Sequence, residues 1–426
     1  MRVAVVGMGA AGIQAARILE AKGHSLELFD ARDRVGGRLH TIESEGLVYD
    51  AGGEWIDADH KRALELVADL GGRLYSRQES EPYTFALQGE MRKEGAEWEE
   101  AKSDLQSLEA WAREQVASLA TAADPDATQH AGKSVADAIS EVCRSPLGRL
   151  LATAIYRSDE GEDLDRVGLQ EWLLGFGNYV HREGLESSAF RVEGGMGALI
   201  RRAADTLESP FTPNARLLAV AQREHSVRLH FDGLTVDAGA CILTMPPPQV
   251  ACVSFDPPLP NPQLDAIRSM PMSRTIKIML AFREPFWEQS GWSGFLHTDS
   301  PVQQTWTAPT SPTPVLICYV CGNNCDFWRR QSDPVGTAVE MIEATFPGAK
   351  RNFMKGNFHD WVADEWSRGG FCYLPPGYMN RHLANIPLRH GRVVFAGDHT
   401  ATWKGFIEGA LESAERAARD VSSLPA

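Results

Sequence analysis

Gly7, Gly9 and Gly12 stand in G-x-G-x-x-G spacing between an apolar run at residues 2–6 and a helical pattern. In such a turn the first glycine permits the bend, the second lets a pyrophosphate approach the backbone, and the third lets helix and strand pack closely. The helix N-terminus then faces the phosphates. Asp30 ends the next strand pattern, where its carboxylate can accept hydrogen bonds from ribose hydroxyls and disfavours NADP. The triplet alone fits any glycine-bearing turn, but together these features predict a dinucleotide site.

The residues after Asp30 continue as Ala31-Arg32-Asp33-Arg34-Val35-Gly36-Gly37-Arg38. Nicotinamide-dependent dehydrogenases need neither the arginines nor the glycine pair, and we infer a second contact with the diphosphate. The string resembles the E-A-x-x-R-x-G-G-R segment of the flavin amine oxidase family, with Asp30 in place of the usual glutamate. The resemblance implies that the cofactor is FAD.

A block near the C-terminus, Phe395-Ala396-Gly397-Asp398-His399-Thr400, precedes Gly405-Phe406-Ile407-Glu408-Gly409-Ala410. The two strings resemble the family's F-A-G-E-x-T and G-[YW]-x-x-G-A motifs. Gly397 would let the backbone meet the cofactor, and Asp398 can accept a hydrogen bond from a ribityl hydroxyl. The helix from Ile407 to Val421 would point its N-terminus toward the flavin pyrimidine. By resemblance, Phe406 is one aromatic wall of the amine site.

The string from Trp361 to Phe371 matches the family's W-x-x-D-p-x-s-x-G-a-Y pattern at the same spacing, which makes Phe371 the second aromatic wall. Gly370 stands where some monoamine oxidases carry a cysteine bonded to the flavin, so a non-covalent cofactor is implied. One alternative stays open. Shifting the alignment by two residues places Cys372 at the covalent link and Tyr373 at the wall, although it spoils the spacing from Trp361.

Lys277 interrupts the apolar strand pattern from Thr275 to Leu280, where an unpaired charge is costly. Its position resembles that of the family's lysine that holds a water against flavin N5. The alternative is a lysine on an edge strand with its amine in solvent. We therefore predict that Lys277, Phe371 and Phe406 are the catalytic residues.

A second nucleotide-binding block resembles the family's segment in which a residue equivalent to Leu217 lies near the adenine and the strand ending at Thr244 passes the diphosphate. Leu217 fits equally a plain core residue. Together, the motifs imply cofactor contacts from Gly7, Gly9, Ala11, Gly12, Asp30, Ala31, Arg32, Arg34, Gly37, Arg38, Gly53, Glu54, Trp55, Leu217, Thr244, Trp361, Gly397, Asp398, Gly405, Phe406 and Ile407.

Trp55 stands where L-amino-acid oxidases of the family carry an arginine for the substrate carboxylate. This difference disfavours an amino-acid substrate. Arg62, Arg157 or Arg182 would have to supply the missing contact from elsewhere. Glu54 beside it would meet a cationic group or support the flavin.

The motifs and the patterns between them predict an α/β fold. A Rossmann-type FAD-binding domain (residues 1–56, 191–258 and 371–426) is interleaved with an α+β substrate domain (residues 57–190 and 259–370). In the latter we predict helices at 62–70, 105–119 and 135–143, the last capped by Ser134, and a loop at 121–133. The substrate domain has the thinnest resemblance, so the sequence says least about the substrate.

Composition excludes several classes of protein. The 42 basic and 57 acidic residues give a net charge of −15, which opposes binding to nucleic acids or anionic lipid and attracts cations. We find no apolar run of the roughly 18 residues that span a bilayer. The glycine turn begins too early to leave room for a signal peptide, so we expect a cytoplasmic protein. A homodimer is left open.

Seven cysteines in such a chain indicate free thiols. Cys318, Cys321 and Cys325 have a spacing that suggests a metal or cluster site. A buried strand over residues 314–322 would send Cys318 and Cys321 to opposite faces, so we expect no metal.

The implied reaction is hydride transfer from the carbon beside a neutral amine to flavin N5, with molecular oxygen as the final acceptor. The imine is hydrolysed to an aldehyde or ketone, and hydrogen peroxide is released. Three alternatives share these motifs: an L-amino-acid oxidase, a flavin desaturase or dehydrogenase with another electron acceptor, and a non-catalytic flavoprotein.

Overall fold

The computed structural model describes residues 1–44, 46–76, 83–121, 130–180, 188–309, 311–386 and 389–425. The strands are β1 Arg2–Val6, β2 Ser25–Phe29, β3 Thr41–Ser44, β4 Leu47–Asp50, β5 Leu74–Ser76, β6 Thr84–Leu87, β7 Glu90–Arg92, β8 Phe190–Val192, β9 Phe211–Thr212, β10 Leu217–Gln222, β11 Val227–Phe231, β12 Leu234–Ala238, β13 Ala240–Leu243, β14 Ser254–Asp256, β15 Thr275–Phe282, β16 Leu296–Thr298, β17 Gln304–Thr307, β18 Val315–Cys321, β19 Phe353–Asp360 and β20 Val393–Phe395.

The helices are α1 Ala10–Ala21, α2 Lys61–Asp69, α3 Ala96–Thr121, α4 Val135–Val142, α5 Pro146–Glu160, α6 Leu169–Val180, α7 Met196–Asp205, α8 Pro247–Val250, α9 Asn261–Ser269, α10 Asn324–Arg329, α11 Pro334–Thr345, α12 Ala349–Asn352, α13 Tyr378–His382 and α14 Ile407–Ser422.

A five-stranded parallel sheet, in the order β20-β13-β1-β2-β9, brings the two ends of the chain together. Strand β1 is apolar on both faces because both are covered. Val3 and Val5 pack against α1, α7 and α14, whereas Ala4 and Val6 face the four-stranded sheet β12-β11-β10-β14. The carboxyl ends of β1, β13 and β20 therefore lie side by side and carry the three turns that the sequence predicts to bind a nucleotide.

A second, mixed sheet has the order β19-β15-β18-β17-β16-β6-β7 and lies in the middle of the chain. Every residue of its strand β15 is buried, because the strand pairs on both sides and is covered on both faces. On β18, Cys318 and Cys321 belong to different apolar clusters on opposite faces, as the alternation predicts. Burial raises the pKa of both thiols to about 12.

Helices α3 to α6 enclose a further apolar cluster. The predicted helix at 62–70 is observed as α2, one residue earlier at each end, and that at 105–119 lies inside the longer α3. Ser134 caps α4 as predicted, because its hydroxyl accepts from the Asp137 backbone while the Asp137 carboxylate accepts from Ser134. Most of the predicted loop at 121–133 lies outside the described residues.

The predicted fold class is confirmed: a parallel, dinucleotide-type sheet is joined to a mixed sheet with helices. In the part of the chain that the structure describes, no helix combines the length and apolar character needed to cross a bilayer.

Candidate active site

A cavity of about 1170 Å³ extends from the glycine turn of β1 past β15 to helices α5 and α6. Its walls include residues from both ends of the chain and from the middle. Of the predicted site residues, all but Gly12 and Arg34 line it. The structure therefore brings the separate sequence motifs to one place.

The first glycine turn is held by β13. Gly7 has φ +98°, and a Cβ on it would lie 2.4 Å from Thr244 Oγ1, which donates a hydrogen bond of 2.7 Å to the Gly7 carbonyl. A Cβ on Gly12 would lie 1.9 Å from the Gly7 carbonyl oxygen, so this glycine serves the packing of helix on strand. Gly12 accordingly stands behind the cavity wall.

The N-terminus of α1 is open toward the cavity. Its N-cap residue, Gly9, provides no side-chain cap, and a Cβ there would meet nothing closer than 3.9 Å, the distance to the Gly36 carbonyl oxygen. No acidic residue lies in the first turn. Unsatisfied backbone N–H groups and the positive end of the helix dipole therefore form an anion site that fits a diphosphate.

Asp30 also fits the nucleotide. Its carboxylate accepts hydrogen bonds from the backbone N–H of Met8, at 2.7 Å, and of Arg32, at 2.8 Å. Burial raises the pKa of Asp30, although these hydrogen bonds oppose the shift. Because a carboxylate has about four acceptor positions, Asp30 braces the turn and retains capacity for ribose hydroxyls.

The three arginines of the second glycine segment have separate partners. Arg32 forms a two-pronged ion pair with Asp364, at 2.8 and 2.6 Å, and donates to Ser367 Oγ at 2.8 Å. Arg34 donates to the Val35 carbonyl at 3.2 Å and does not line the cavity. Arg32 thus fastens the glycine segment to the Trp361 block. The sequence analysis did not predict that Asp364 pairs with Arg32, although Asp364 is the acidic residue of the motif that begins at Trp361.

Arg38 connects the same segment to the C-terminal block. It donates to the Gly370 carbonyl at 2.8 Å and forms an ion pair with Asp398. Burial would raise the pKa of Asp398, but the charge and the hydrogen bond of Arg38, together with smaller contributions from His399 and the backbone, outweigh burial and lower it. Asp398 is therefore ionised and oriented at the cavity wall, where it can accept a hydrogen bond from a cofactor hydroxyl.

His399 leaves a buried polar atom without a partner. The residue is 5% exposed and lines the cavity, and its Nδ1 has no hydrogen bond within the described protein. Burial lowers the pKa of His399 to about 4, so the ring is neutral. An orphaned nitrogen beside Asp398 fits a polar cofactor such as FAD.

The two predicted aromatic walls border the cavity in different surroundings. The Phe371 ring lies against two glycines: a Cβ on Gly161 would lie 2.5 Å from Phe371 Cζ, and one on Gly405 would lie 3.1 Å from Cδ2. Phe406 meets the rings of His60 and Trp403 edge-on, at centroid distances of 5.2 and 5.8 Å. Packing against these two rings fixes the orientation of Phe406. The sequence analysis did not identify His60 as a neighbour of Phe406.

Gly370 has no room for a side chain. A Cβ there would lie 2.5 Å from Thr275 Oγ1 and 3.1 Å from Ser273 Oγ. Cys372 borders the cavity but packs among apolar residues, and burial raises the pKa of its thiol to about 12. A thiol that stays protonated is a poor nucleophile.

Lys277 lies on an inner strand and is 5% exposed, so the alternative of an edge-strand lysine in solvent is wrong. Its Nζ donates to the carbonyls of Asp50, at 3.1 Å, and Gly52, at 2.7 Å, and to Glu54 Oε1 at 2.7 Å. Trp306 Nε1 donates to the same carboxylate oxygen at 3.0 Å. All three ammonium hydrogens have acceptors, so Lys277 anchors the 50–54 segment in this arrangement. That Lys277 holds a water molecule against the flavin remains a prediction.

Trp55 stands where an arginine would bind a substrate carboxylate, and neither of the two described candidates takes over that role. Arg62 pairs with Glu408 and Glu415, and Arg157 pairs with Asp163; neither lines the cavity. Arg182 lies outside the described residues.

The helical layer also contributes acidic residues to the cavity wall, which the sequence analysis did not predict: Glu109, Asp159, Glu160 and Glu171.

Known proteins share this architecture over the full chain. Cyclohexylamine oxidase from Brevibacterium oxydans superposes with a TM-score of 0.88 at 25% identity, covering 99% of this chain and 98% of the other. Putrescine oxidase, solved with bound putrescine, has a TM-score of 0.88 at 24% identity, and all of both chains is covered.

Sequence comparison agrees with the superpositions. The flavin-containing amine oxidase A of Bos taurus is 25% identical over 450 residues, which span 98% of this chain and 84% of the bovine protein. Residues 10–422 match the family described as flavin containing amine oxidoreductase. The match covers nearly the whole chain and agrees with a cavity that fits FAD, so the protein belongs to the flavin-containing amine oxidoreductase family.

Proposed function

We propose that the protein oxidises a small amine without a carboxylate group and uses molecular oxygen as the electron acceptor. The observation that carries this proposal is one cavity lined by both the nucleotide-binding turns and the pair Phe371 and Phe406. Two structural neighbours are named for small amines, putrescine and cyclohexylamine, which supports a substrate of that size.

The chemistry supplied by bound FAD is acceptance of a hydride from the carbon beside the amine nitrogen and return of the electrons to oxygen, yielding an imine and hydrogen peroxide. The residues of the protein would bind the cofactor and orient the amine. The start of α1 and Asp30 would hold the diphosphate and a ribose, while Asp398, oriented by Arg38, would hold the ribityl chain.

Phe371 and Phe406 would flank the substrate and keep water from the reacting carbon. A dry, apolar cage favours the neutral amine over the ammonium ion, and only the neutral amine has the nitrogen lone pair that assists hydride loss. Lys277 would keep the Asp50–Glu54 segment beside the cofactor through its three hydrogen bonds. These residues act by positioning and desolvation, so the reaction needs no nucleophilic side chain.

We also propose that FAD is held without a covalent bond. The crowding at Gly370 and the protonated, apolar-packed Cys372 support this. An amino-acid substrate is disfavoured, because the helical side of the cavity carries the acidic side chains of Glu109, Asp159, Glu160 and Glu171, which would repel a carboxylate there.

The division into two interleaved domains is likewise a proposal. The strands of the parallel sheet fall within residues 1–56, 191–258 and 371–426, and those of the mixed sheet within 57–190 and 259–370, which supports these bounds.

A cytoplasmic location is also proposed. Seven free cysteines, six of them buried, support it, because thiols stay reduced in the cytoplasm.

The test is a panel of amines and amino acids screened for hydrogen peroxide. Peroxide from amines, with none from amino acids, is the expected result. Peroxide from amino acids alone would overturn the proposed substrate class. Flavin released into the supernatant on denaturation would confirm a non-covalent cofactor, and flavin that stays with the precipitated protein would contradict it.

A further inference from the structure

Two lysines of the described chain line the cavity, and they differ in their hydrogen bonds. The Nζ of Lys277 donates to three acceptors, the carbonyls of Asp50 and Gly52 and the carboxylate of Glu54. Because only an ammonium group has three hydrogens to donate, these partners hold Lys277 in its charged form. The other lysine, Lys404, takes no part in the proposed reaction.

Lys404 has a single hydrogen bond. Its Nζ donates to the Ala401 carbonyl at 2.6 Å, and it has no ion pair with any residue that the structure describes. A neutral amine has two hydrogens and a lone pair, so it can make this contact and leave the lone pair unused. The contacts of Lys404 therefore permit the neutral form, whereas those of Lys277 exclude it.

The surroundings of Lys404 also favour the neutral form. Burial lowers the pKa of its ammonium group, although the Cys372 thiol and the charge of Glu412 oppose the shift. A lysine that is charged and unpaired in an enclosed site is costly, and loss of its proton removes that cost. The neutral amine that results is a nucleophile, because its lone pair is available for attack.

The position of Lys404 relates it to the proposed amine cage. Lys404 and its partner Ala401 both line the cavity, on the loop that leads to Phe406. The next residue, Gly405, lies against the other proposed wall, because a Cβ on it would be 3.1 Å from Phe371 Cδ2. The loop that carries the Lys404 amine is therefore in contact with both aromatic walls.

We infer that Lys404 is a modification site, at which the aldehyde made from an unbranched primary amine forms an imine with Nζ. This inference rests on the proposed amine oxidation, which supplies the aldehyde. The lone pair of Nζ attacks the carbonyl carbon, a carbon–nitrogen double bond replaces the carbon–oxygen bond, and the oxygen leaves as water with the two amine hydrogens.

Imine formation at Lys404 needs no oxidant or reductant, and hydrolysis reverses it. The adduct adds the carbon chain of the aldehyde to the cavity wall on the loop that leads to Phe406. The enzyme is then inhibited by its own product for as long as the imine persists.

The test traps the imine in the FAD-loaded protein near neutral pH. Butanal is added with cyanoborohydride, which reduces an imine to a stable secondary amine, and peptide mass spectrometry locates the label. Lys404→Arg keeps a positive charge but has no nucleophilic amine, and Lys404→Met removes both. Lys22→Arg is the matched control, because Lys22 is exposed at the end of α1, outside the cavity.

We expect Lys404 to be labelled at least about tenfold faster than Lys22, because a neutral amine attacks a carbonyl and an ammonium group does not. Lys404→Arg and Lys404→Met should lose the fast label, and Lys22→Arg should retain it. The wild type should lose amine oxidation in proportion to the fraction labelled at Lys404. Equal rates at Lys404 and Lys22, or a fast label that persists in Lys404→Met, would overturn the inference.

Added butanal separates this inference from the proposed function, because it supplies the aldehyde without turnover. If butanal labels Lys404 fast but no amine yields hydrogen peroxide, the proposed function fails and the reactive lysine stands. If amines are oxidised but butanal does not label Lys404, only the modification site fails.

Discussion

Arg38 and Asp398 form an ion pair between residues 360 positions apart and so join the two ends of the chain at one wall of the cavity. Asp398→Asn leaves the Arg38 guanidinium uncompensated in a mostly buried site. We expect the free energy of unfolding to fall by about 2 kcal/mol, with part of the bound FAD lost. Urea unfolding and the ratio of flavin to protein measure both effects. Asp398→Glu keeps the charge and should recover FAD; unchanged values for Asp398→Asn would contradict the account.

Two glycines of the first turn should respond differently to alanine. A Cβ at Gly12 meets the Gly7 carbonyl oxygen at 1.9 Å, whereas one at Gly9 would meet no protein atom closer than 3.9 Å and would lie where we propose that the diphosphate binds. Gly12→Ala should destabilise the fold by about 1–3 kcal/mol or more. Gly9→Ala should fold with normal stability as apoprotein and lose FAD. Circular dichroism melts of the apoproteins and FAD titrations distinguish them. Full FAD binding by Gly9→Ala would show that the diphosphate lies elsewhere.

Arg32 and Asp364 should make stability depend on pH in the acid range. Burial raises the pKa of Asp364, but hydrogen bonds and charge from Arg32 outweigh burial and bring it down to about 2 from 3.8. A depressed carboxyl pKa stabilises the folded state above pH 4, and the effect disappears as pH falls to 2. Asp364→Asn should therefore lose about 2 kcal/mol at pH 7. Its deficit in urea unfolding should shrink between pH 4 and 2; a deficit that does not vary with pH would contradict this.

Asp159 should have the opposite effect on stability. Its side chain keeps accessible surface toward the cavity, but desolvation by the surrounding protein still raises its pKa to about 7 from 3.8, so the folded protein holds this proton after the unfolded chain has lost it. Stability is then lost as pH rises from about 4 to 7. Asp159→Asn should melt at the same temperature as the wild type at pH 4 and at a higher temperature at pH 8. Asp165→Asn, at an exposed residue outside the cavity, is the control, and an Asp159→Asn protein that melts lower than the wild type at pH 8 would contradict this prediction.

Local sequence patterns were enough to predict the helices and strands with a strong hydrophobic periodicity, and the motifs whose residues have a fixed spacing. Gly7, Gly9 and Gly12 were readable because the strand, turn and helix are adjacent in sequence. The partners of Lys277 were not, because Glu54 meets it through a side-chain hydrogen bond between residues 223 positions apart. The predicted solvent alternative for Lys277 failed for the same reason, since periodicity does not tell an edge strand from an inner one.

The acidic end of α5 was also invisible in the sequence. Asp159 and Glu160 look like ordinary residues of a solvated helix end, and only the tertiary fold turns them toward the cavity and sends Arg157 to Asp163. Whether a carboxylate is paired depends on contacts distant in sequence, which no local pattern records.

Anaerobic addition of amine to the FAD-loaded protein tests the central claim most directly. We predict that a small amine without a carboxylate group bleaches the visible absorbance of the bound flavin, and that admission of oxygen restores it with one hydrogen peroxide per flavin. A flavin that no amine reduces, in protein that is folded and fully loaded with FAD, would contradict the assignment of this cavity to amine oxidation.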